Sequence, residues 1–159
     1  MSKMERITLE LLSEEYMDRL YQFELPEEQH QFTALPEEVA DLAEGQHGVM
    51  IMNHEEPVVF FLLHQTDRVK EYTDNPHAIL LTALSIDQAH QRKGYARKGM
   101  RLLEDFVKDT FPECDEIILA VNHKNTAEQK LYQQVAFADT GIRKEGPKGE
   151  QYILALKLR

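Results

Sequence analysis

The chain has a single cysteine, Cys114, in 159 residues. An intrachain disulfide is therefore excluded. The thiol reads as a partly buried structural one, because a catalytic cysteine needs an organised histidine partner. No apolar run reaches the roughly 20 residues of a membrane-spanning helix. The N-terminus carries no signal-peptide pattern, so the expected location is the cytoplasm and no membrane partner is expected. Basic residues are few: 18 Lys and Arg stand against 28 Asp and Glu, a net charge of −10. That balance argues against nucleic acid as a partner and is compatible with a cationic substrate. The seven histidines show no His-Glu-x-x-His or other ligand spacing, so no metal is expected. No nucleophile triad, internal repeat, linker or low-complexity tract is recognisable.

What remains is an alternation of short apolar segments. Ile7, Leu9 and Leu11 alternate with polar residues and read as a strand. Ser13 is placed to cap a helix carrying Tyr16, Met17, Leu20 and Phe23 on one face. Two prolines, Pro26 and Pro36, punctuate a loop before a helix expected over residues 37–44. Val49 to Met52 and Val58 to Leu63 read as a hairpin about the turn at Asn53 to Pro57. Residues 67–75 read as a surface loop. Ala78 to Ile86 is apolar on both faces and so reads as a central strand. A helix is expected from Tyr95, with Gly99, Leu102, Leu103, Phe106 and Val107 on one face, until Pro112 stops it. Ile117 to Val121 is another buried strand. Asn125 heads a helix to Val135, with Glu128 in capping-box position. Phe137 to Ile142 and Tyr152 to Leu158 close the chain as paired strands. The order predicts a mixed α+β fold in one domain, residues 1–159, with about seven strands.

The chemistry-bearing stretch is Gln91-Arg92-Lys93-Gly94-Tyr95-Ala96, which follows the strand ending at Ile86 and opens a helix. A helix start has unpaired N–H groups and the positive end of the peptide dipole, so it suits phosphate. Gly94 and Ala96 let an anion approach the backbone, and Arg92, Lys93 and Arg97 add positive charge. Read alone, this is equally a βα turn with a solvated basic cluster. The pattern Gln-x-x-Gly-x-Ala after an apolar strand resembles the acetyl-CoA pyrophosphate loop of the Gcn5-related N-acetyltransferase (GNAT) superfamily. A second stretch strengthens the resemblance. Asn122, Asn125, Leu131, Tyr132, Ala136 and Phe137 follow that superfamily's pattern Asn-x-x-Asn-x-x-Ala-x-x-x-Tyr-x-x-x-Gly-Phe. Here Ala127 lies one place early, and Ala136 replaces a glycine whose freedom at positive φ alanine lacks.

The resemblance implies a GNAT acyl-CoA N-acyltransferase fold, with a mixed, mostly antiparallel sheet flanked by helices. It implies acetyl-CoA as co-substrate. Leu84, Ser85 and Ile86 would pair their backbone with pantetheine. Gln91 would open the loop, and Arg92, Lys93, Gly94, Tyr95, Ala96 and Arg97 would hold the pyrophosphate. Asn122 belongs to the same cofactor-binding set. Asn125 would contact pantetheine or cap its helix. Tyr132 would protonate the leaving thiolate, or stand as a buried aromatic with its hydroxyl at the rim. Gln29, Phe32 and Ala34 resemble a segment of bacterial polyamine and small-amine acetyltransferases. The expected reaction is direct attack of a small primary amine, polyamine-like, on the thioester. Alkyl ammonium groups hold their proton with a pKa of about 10.4, so a base is required. The sequence does not identify that base: Glu24, Glu27, Glu28, Glu71, Asp74 and His77 are candidates from flanking loops, but residues of these types in loops are ordinarily solvated surface groups. Acetylation of a protein N-terminus or lysine, and CoA binding without turnover, are the alternatives. Superfamily habit suggests a homodimer.

Overall fold

The computed structural model describes residues 4–159. Seven strands form one sheet: β1 (Ile7–Leu11), β2 (Gln46–Asn53), β3 (Glu56–His64), β4 (Ala78–Ile86), β5 (Glu116–Asn122), β6 (Ala138–Gly146) and β7 (Gly149–Lys157). Their order is β1-β2-β3-β4-β5-β7-β6. Every pairing is antiparallel except β4 with β5. That is the mixed, mostly antiparallel sheet that the resemblance implies. Alternation sorts the side chains onto two faces. Val49, Ile51, Phe61, Leu63, Ile79 and Leu81 join the larger core. Met50, Met52, Phe60 and Leu62 join a second core on the opposite face.

Helices cover both faces. Residues 14–21 form a 3-10 turn that runs into α1 (Met17–Tyr21), which packs Leu20 into the second core. The expected cap at Ser13 is not made through its side chain; its carbonyl accepts from the Tyr16 N–H instead. α2 (Pro36–Val39) is a single turn, shorter than the helix expected over 37–44. The helix expected from Tyr95 is two, α3 (Tyr95–Met100) and α4 (Leu103–Thr110). α3 lies close on β2, where a Cβ on Gly99 would stand 2.4 Å from Ile51 Cδ1. Residues 67–71, expected as loop, form a 3-10 turn that buries Val69. α5 (Thr126–Gln134) follows β5.

Two features of β4 set up a cleft. β4 and β5 are in register from Ala78 with Glu116 to Leu81 with Leu119 and no further. Beyond Leu81 the β5-facing edge of β4 has no strand partner among the described residues. At the same point a bulge inserts one residue between the Phe60 and Leu62 pairings, and Ala83 takes φ +58°. A bulge turns the strand and reverses its side-chain parity. Ala83 accordingly packs toward the second core and Leu84 toward the first.

Candidate active site

The parted strands β4 and β5 open onto two cavities that meet. One, of about 740 Å³, is bounded by Leu84, Ile86, Arg92, Gly94 to Arg97, and the first turn of α5. The other, of about 610 Å³, lies on the far side and is bounded by His64, Thr82, Asn122, Tyr132 and Lys148. Gln31, Phe32, Thr33, Leu84, Asn125 and Glu128 line both.

The first cavity is built by the loop before α3. Arg92 and Gly94 both take positive φ, at +65° and +80°. Such alternation turns successive N–H groups toward one side and makes an anion-binding concavity. Among the described residues, the six N–H groups from Arg92 to Arg97 have no backbone or side-chain acceptor within the protein; the next, Lys98, bonds Gly94. Gln91 braces the loop. Its amide donates to the Ile86 carbonyl at 2.8 Å and exchanges hydrogen bonds of 3.0 and 3.1 Å with Gln29. Tyr95 is buried, and its hydroxyl accepts from Asn53 at 3.3 Å.

The junction of the two cavities is the first turns of α5. Asn125 caps the helix, its Oδ1 accepting from the Glu128 N–H at 3.2 Å. Glu128 does not complete the capping box. Its carboxylate instead accepts from Asn125 Nδ2 and from the Tyr132 hydroxyl, the latter at 3.1 Å. The enclosure of this carboxylate pushes its pKa up to about 7, with the hydrogen bonds from Tyr132 and Asn125 opposing the rise. Tyr132 is 1% exposed. Burial first, and then the Glu128 carboxylate, hold its phenol well above the ordinary value.

The second cavity has a polar floor. His64 is buried, with Nε2 2.5 Å from Thr82 Oγ1. Burial, helped by the Arg68 charge and His47, lowers its pKa to about 4, so the ring is neutral at pH 7. Among the described residues, His64 Nδ1 and Thr33 Oγ1 are enclosed without a hydrogen-bond partner. Asp41, Arg68 and Lys148 stand at the margin.

The structure thus brings Leu84, Ile86, Arg92, Gly94, Tyr95, Ala96, Arg97 and Asn125 around one cavity. The other four expected cofactor-binding residues, Ser85, Gln91, Lys93 and Asn122, do not line this cavity; Gln91 is the brace described above. Ser85 is buried with its Oγ 3.5 Å from the Phe60 carbonyl oxygen, facing β3. Lys93 is exposed and lines neither cavity. Asn122 lines the second cavity and ties the β5 end, donating to the Lys148 carbonyl at 3.1 Å and accepting from the Lys124 N–H at 2.8 Å. Of the six candidate bases, Glu28 alone lines either cavity. Glu128 was legible only as a helix-capping residue. The signal that sets it apart is its place in the motif: it stands three residues after Asn125, where the pattern has a small alanine.

A model of the acetyltransferase (GNAT) family matches residues 9–137. A protein of Bacillus subtilis (strain 168), the uncharacterized N-acetyltransferase YbbJ, is 44% identical over 152 residues, covering 93% of this chain and 95% of that one. Among solved structures, aminoglycoside acetyltransferase AAC(6')-Ib in complex with coenzyme A and kanamycin superposes with a TM-score of 0.74 at 19% identity, over 96% of this chain and 95% of that one. The ribosomal-protein-S18-alanine N-acetyltransferase of Escherichia coli gives 0.68 at 15% identity, over 96% and 94%.

Proposed function

The chain belongs to the acetyltransferase (GNAT) family, and from that premise we propose that it transfers acetyl from acetyl-CoA to a primary amine of a small, polyamine-like molecule. Acetyl-CoA-dependent N-acetyltransferase activity follows from the family; the acceptor and the residue roles are our reading. The observation that carries it is the run of unpartnered N–H groups from Arg92 to Arg97 at the mouth of a cavity that ends at Glu128 and Asn125. A pyrophosphate supplies the acceptors those donors lack, and Arg92 and Arg97 match its charge. The free edge of β4 at Leu84 and Ile86 would pair with the pantetheine amides. That course leads the thioester to the junction. Tyr132 would there give its proton to the leaving thiolate, and Asn125 would fix the helix start that holds it.

The acceptor would enter from the opposite cavity. A cationic acceptor accords with the net charge of −10 and with Asp41 and Glu128 on the lining. His64 Nδ1 and Thr33 Oγ1 would gain partners from its polar groups, since enclosed polar atoms without partners are costly. The aminoglycoside of the superposed complex is itself a polyamine in chemical kind. A second reading rests on Arg68 and Lys148, which also line this cavity. They suit an acceptor that carries an anionic group besides its amine, such as an amino acid or a peptide.

The test is CoA thiol release with a panel of polyamines, aminoglycosides, amino acids and peptides. Preference for di- and polyamines is expected. Turnover confined to carboxylate-bearing amines would replace it with the second reading. The pyrophosphate assignment has its own test. Gly94→Asp sets a negative side chain beside the loop, worth on the order of 1–2 kcal/mol against a diphosphate. Acetyl-CoA affinity by calorimetry should fall about tenfold, and unchanged affinity in a folded variant would remove the assignment. The proposed working form is a cytoplasmic homodimer, and light scattering that returns the 18.5 kDa monomer mass at micromolar concentration rejects it.

A further inference from the structure

We propose that Glu128 is the base that takes the proton from the attacking nitrogen and returns it to Tyr132, so that both proton transfers run through one hydrogen-bonded pair on α5. The inference rests on the acetyl-transfer reading above. Three observations carry it. Among the described residues Glu128 is the one carboxylate shared by the two cavities, so it alone faces both the acceptor side and the thioester side. Its Oε1 is 3.1 Å from the Tyr132 hydroxyl, close enough for direct proton exchange. Its other oxygen is held by Asn125 Nδ2, which fixes the carboxylate across the junction. None of the loop candidates has this placement.

The acceptor enters as an ammonium and loses one proton to solvent. The neutral amine attacks the thioester carbonyl, the C–N bond forms, and the nitrogen gives its second proton to the Glu128 carboxylate. The C–S bond breaks, and the sulfur takes the proton of the Tyr132 hydroxyl. Glu128 then hands its proton to the Tyr132 oxygen across their hydrogen bond. The products are the amide, the CoA thiol and one proton in solution, and both side chains are back in their starting state.

The placement also explains why an acid stands where the motif has alanine. An enclosed carboxylate without a positive partner is a poor structural choice. It is a suitable base, because a base works best with a pKa near the working pH. Besides Tyr132, the ionisable groups around it are Asp41, His64, Arg68, Tyr72 and Lys148 on the acceptor side. On the other side they are Glu28, His90, Arg92, Tyr95, Arg97 and Lys124. None of these is among the causes of its shift, which are burial, Tyr132 and Asn125.

The test uses the full chain, acetyl-CoA and three acceptor probes: spermidine, kanamycin and a peptide with a free N-terminal alanine. With the probe that wild type turns over best, Glu128→Gln should lower kcat by about 10²–10⁴-fold and leave acetyl-CoA affinity by calorimetry unchanged. The variant keeps the shape and a hydrogen-bonding end, and its melting temperature reports folding. In wild type, kcat should fall on the acid side of about pH 7, and that limb should vanish in the variant. If the variant does not fold, the wild-type limb decides: its absence overturns the proposal. Wild-type kcat in a folded Glu128→Gln overturns it equally. No thiol release by wild type with any of the three probes is a distinct result. It rejects the transferase reading for these acceptors and the proton circuit with it.

Discussion

Replacing Tyr132 by phenylalanine removes one hydroxyl and leaves a ring that is packed 5.3 Å, centroid to centroid, from Phe137. The packing survives, so the fold should lose only the hydrogen bond to Glu128, on the order of 1–3 kcal/mol for a charged acceptor. If the hydroxyl protonates the thiolate, single-turnover rates should fall about 10²–10⁴-fold with acetyl-CoA affinity retained. A rim residue without a chemical role would leave those rates at the wild-type level. The same substitution carries a sign for the pH profile. The Tyr132 donor opposes the rise of the Glu128 pKa. Its removal should therefore move the acid limb of kcat to higher pH. A limb that stays in place would mean that the two side chains do not exchange protons in the working enzyme.

At the scale of elements, α5 ends under strain that can be relieved. Ala136 follows it at φ +73°, in the position where the motif has glycine. A Cβ is disfavoured there, and the residue is exposed, so nothing else is disturbed by removing it. Ala136→Gly should raise stability by about 0.5–1 kcal/mol, read as a higher urea midpoint with the slope unchanged. This strain was foreseeable from the sequence, because the departure from the motif fell at a helix end. Six of the seven strands were legible for an equally local reason: each is a short apolar or alternating run bounded by turn residues. The exception is β6, expected to end at Ile142, which runs on to Gly146 through polar, mostly exposed residues that pair with β7 and carry no apolar pattern. The bulge in β4 was not, because it sits at Ala83, a residue without any special claim on positive φ. The break between α3 and α4 was hidden because Leu102 and Leu103 continue the helical spacing through it. The turn at residues 67–71 was hidden by its charges, which surround the one buried residue, Val69. Glu128 was hidden by a stronger local explanation. An acid three residues after an N-cap asparagine is a capping box on any local reading, and only the parting of β4 from β5, a long-range event, gives it a cavity on either side.

For the whole molecule, buried His64 and half-buried Glu128 tie stability to pH with opposite signs. His64 has a folded pKa of about 4 against an ordinary 6.5. Below pH 6.5 the unfolded chain takes up a proton that the folded chain refuses. The contribution of His64 is therefore fully present above pH 6.5 and is lost as pH falls toward 4. Glu128 has a folded pKa of about 7 against an ordinary 4.5. Between those values the unfolded chain releases a proton that the folded chain retains. Its contribution is therefore present below pH 4.5 and lost as pH rises toward 7. Each effect is at most on the order of 3 kcal/mol. Over the shared window, from about pH 4.5 to 6.5, the two slopes oppose each other, so wild type should show a shallow dependence of the urea midpoint on pH. Single substitutions should expose each slope. In Glu128→Gln the midpoint should climb with pH through this window, because only His64 remains. In His64→Gln, which keeps a partner for Thr82, it should decline instead. The acidic surface does not imitate this pattern, since exposed carboxylates titrate alike in wild type and both variants and cancel in the differences. Parallel profiles for all three proteins would mean that neither group is held in the folded chain away from its ordinary protonation. The base at the junction would then have no enclosed carboxylate to draw on.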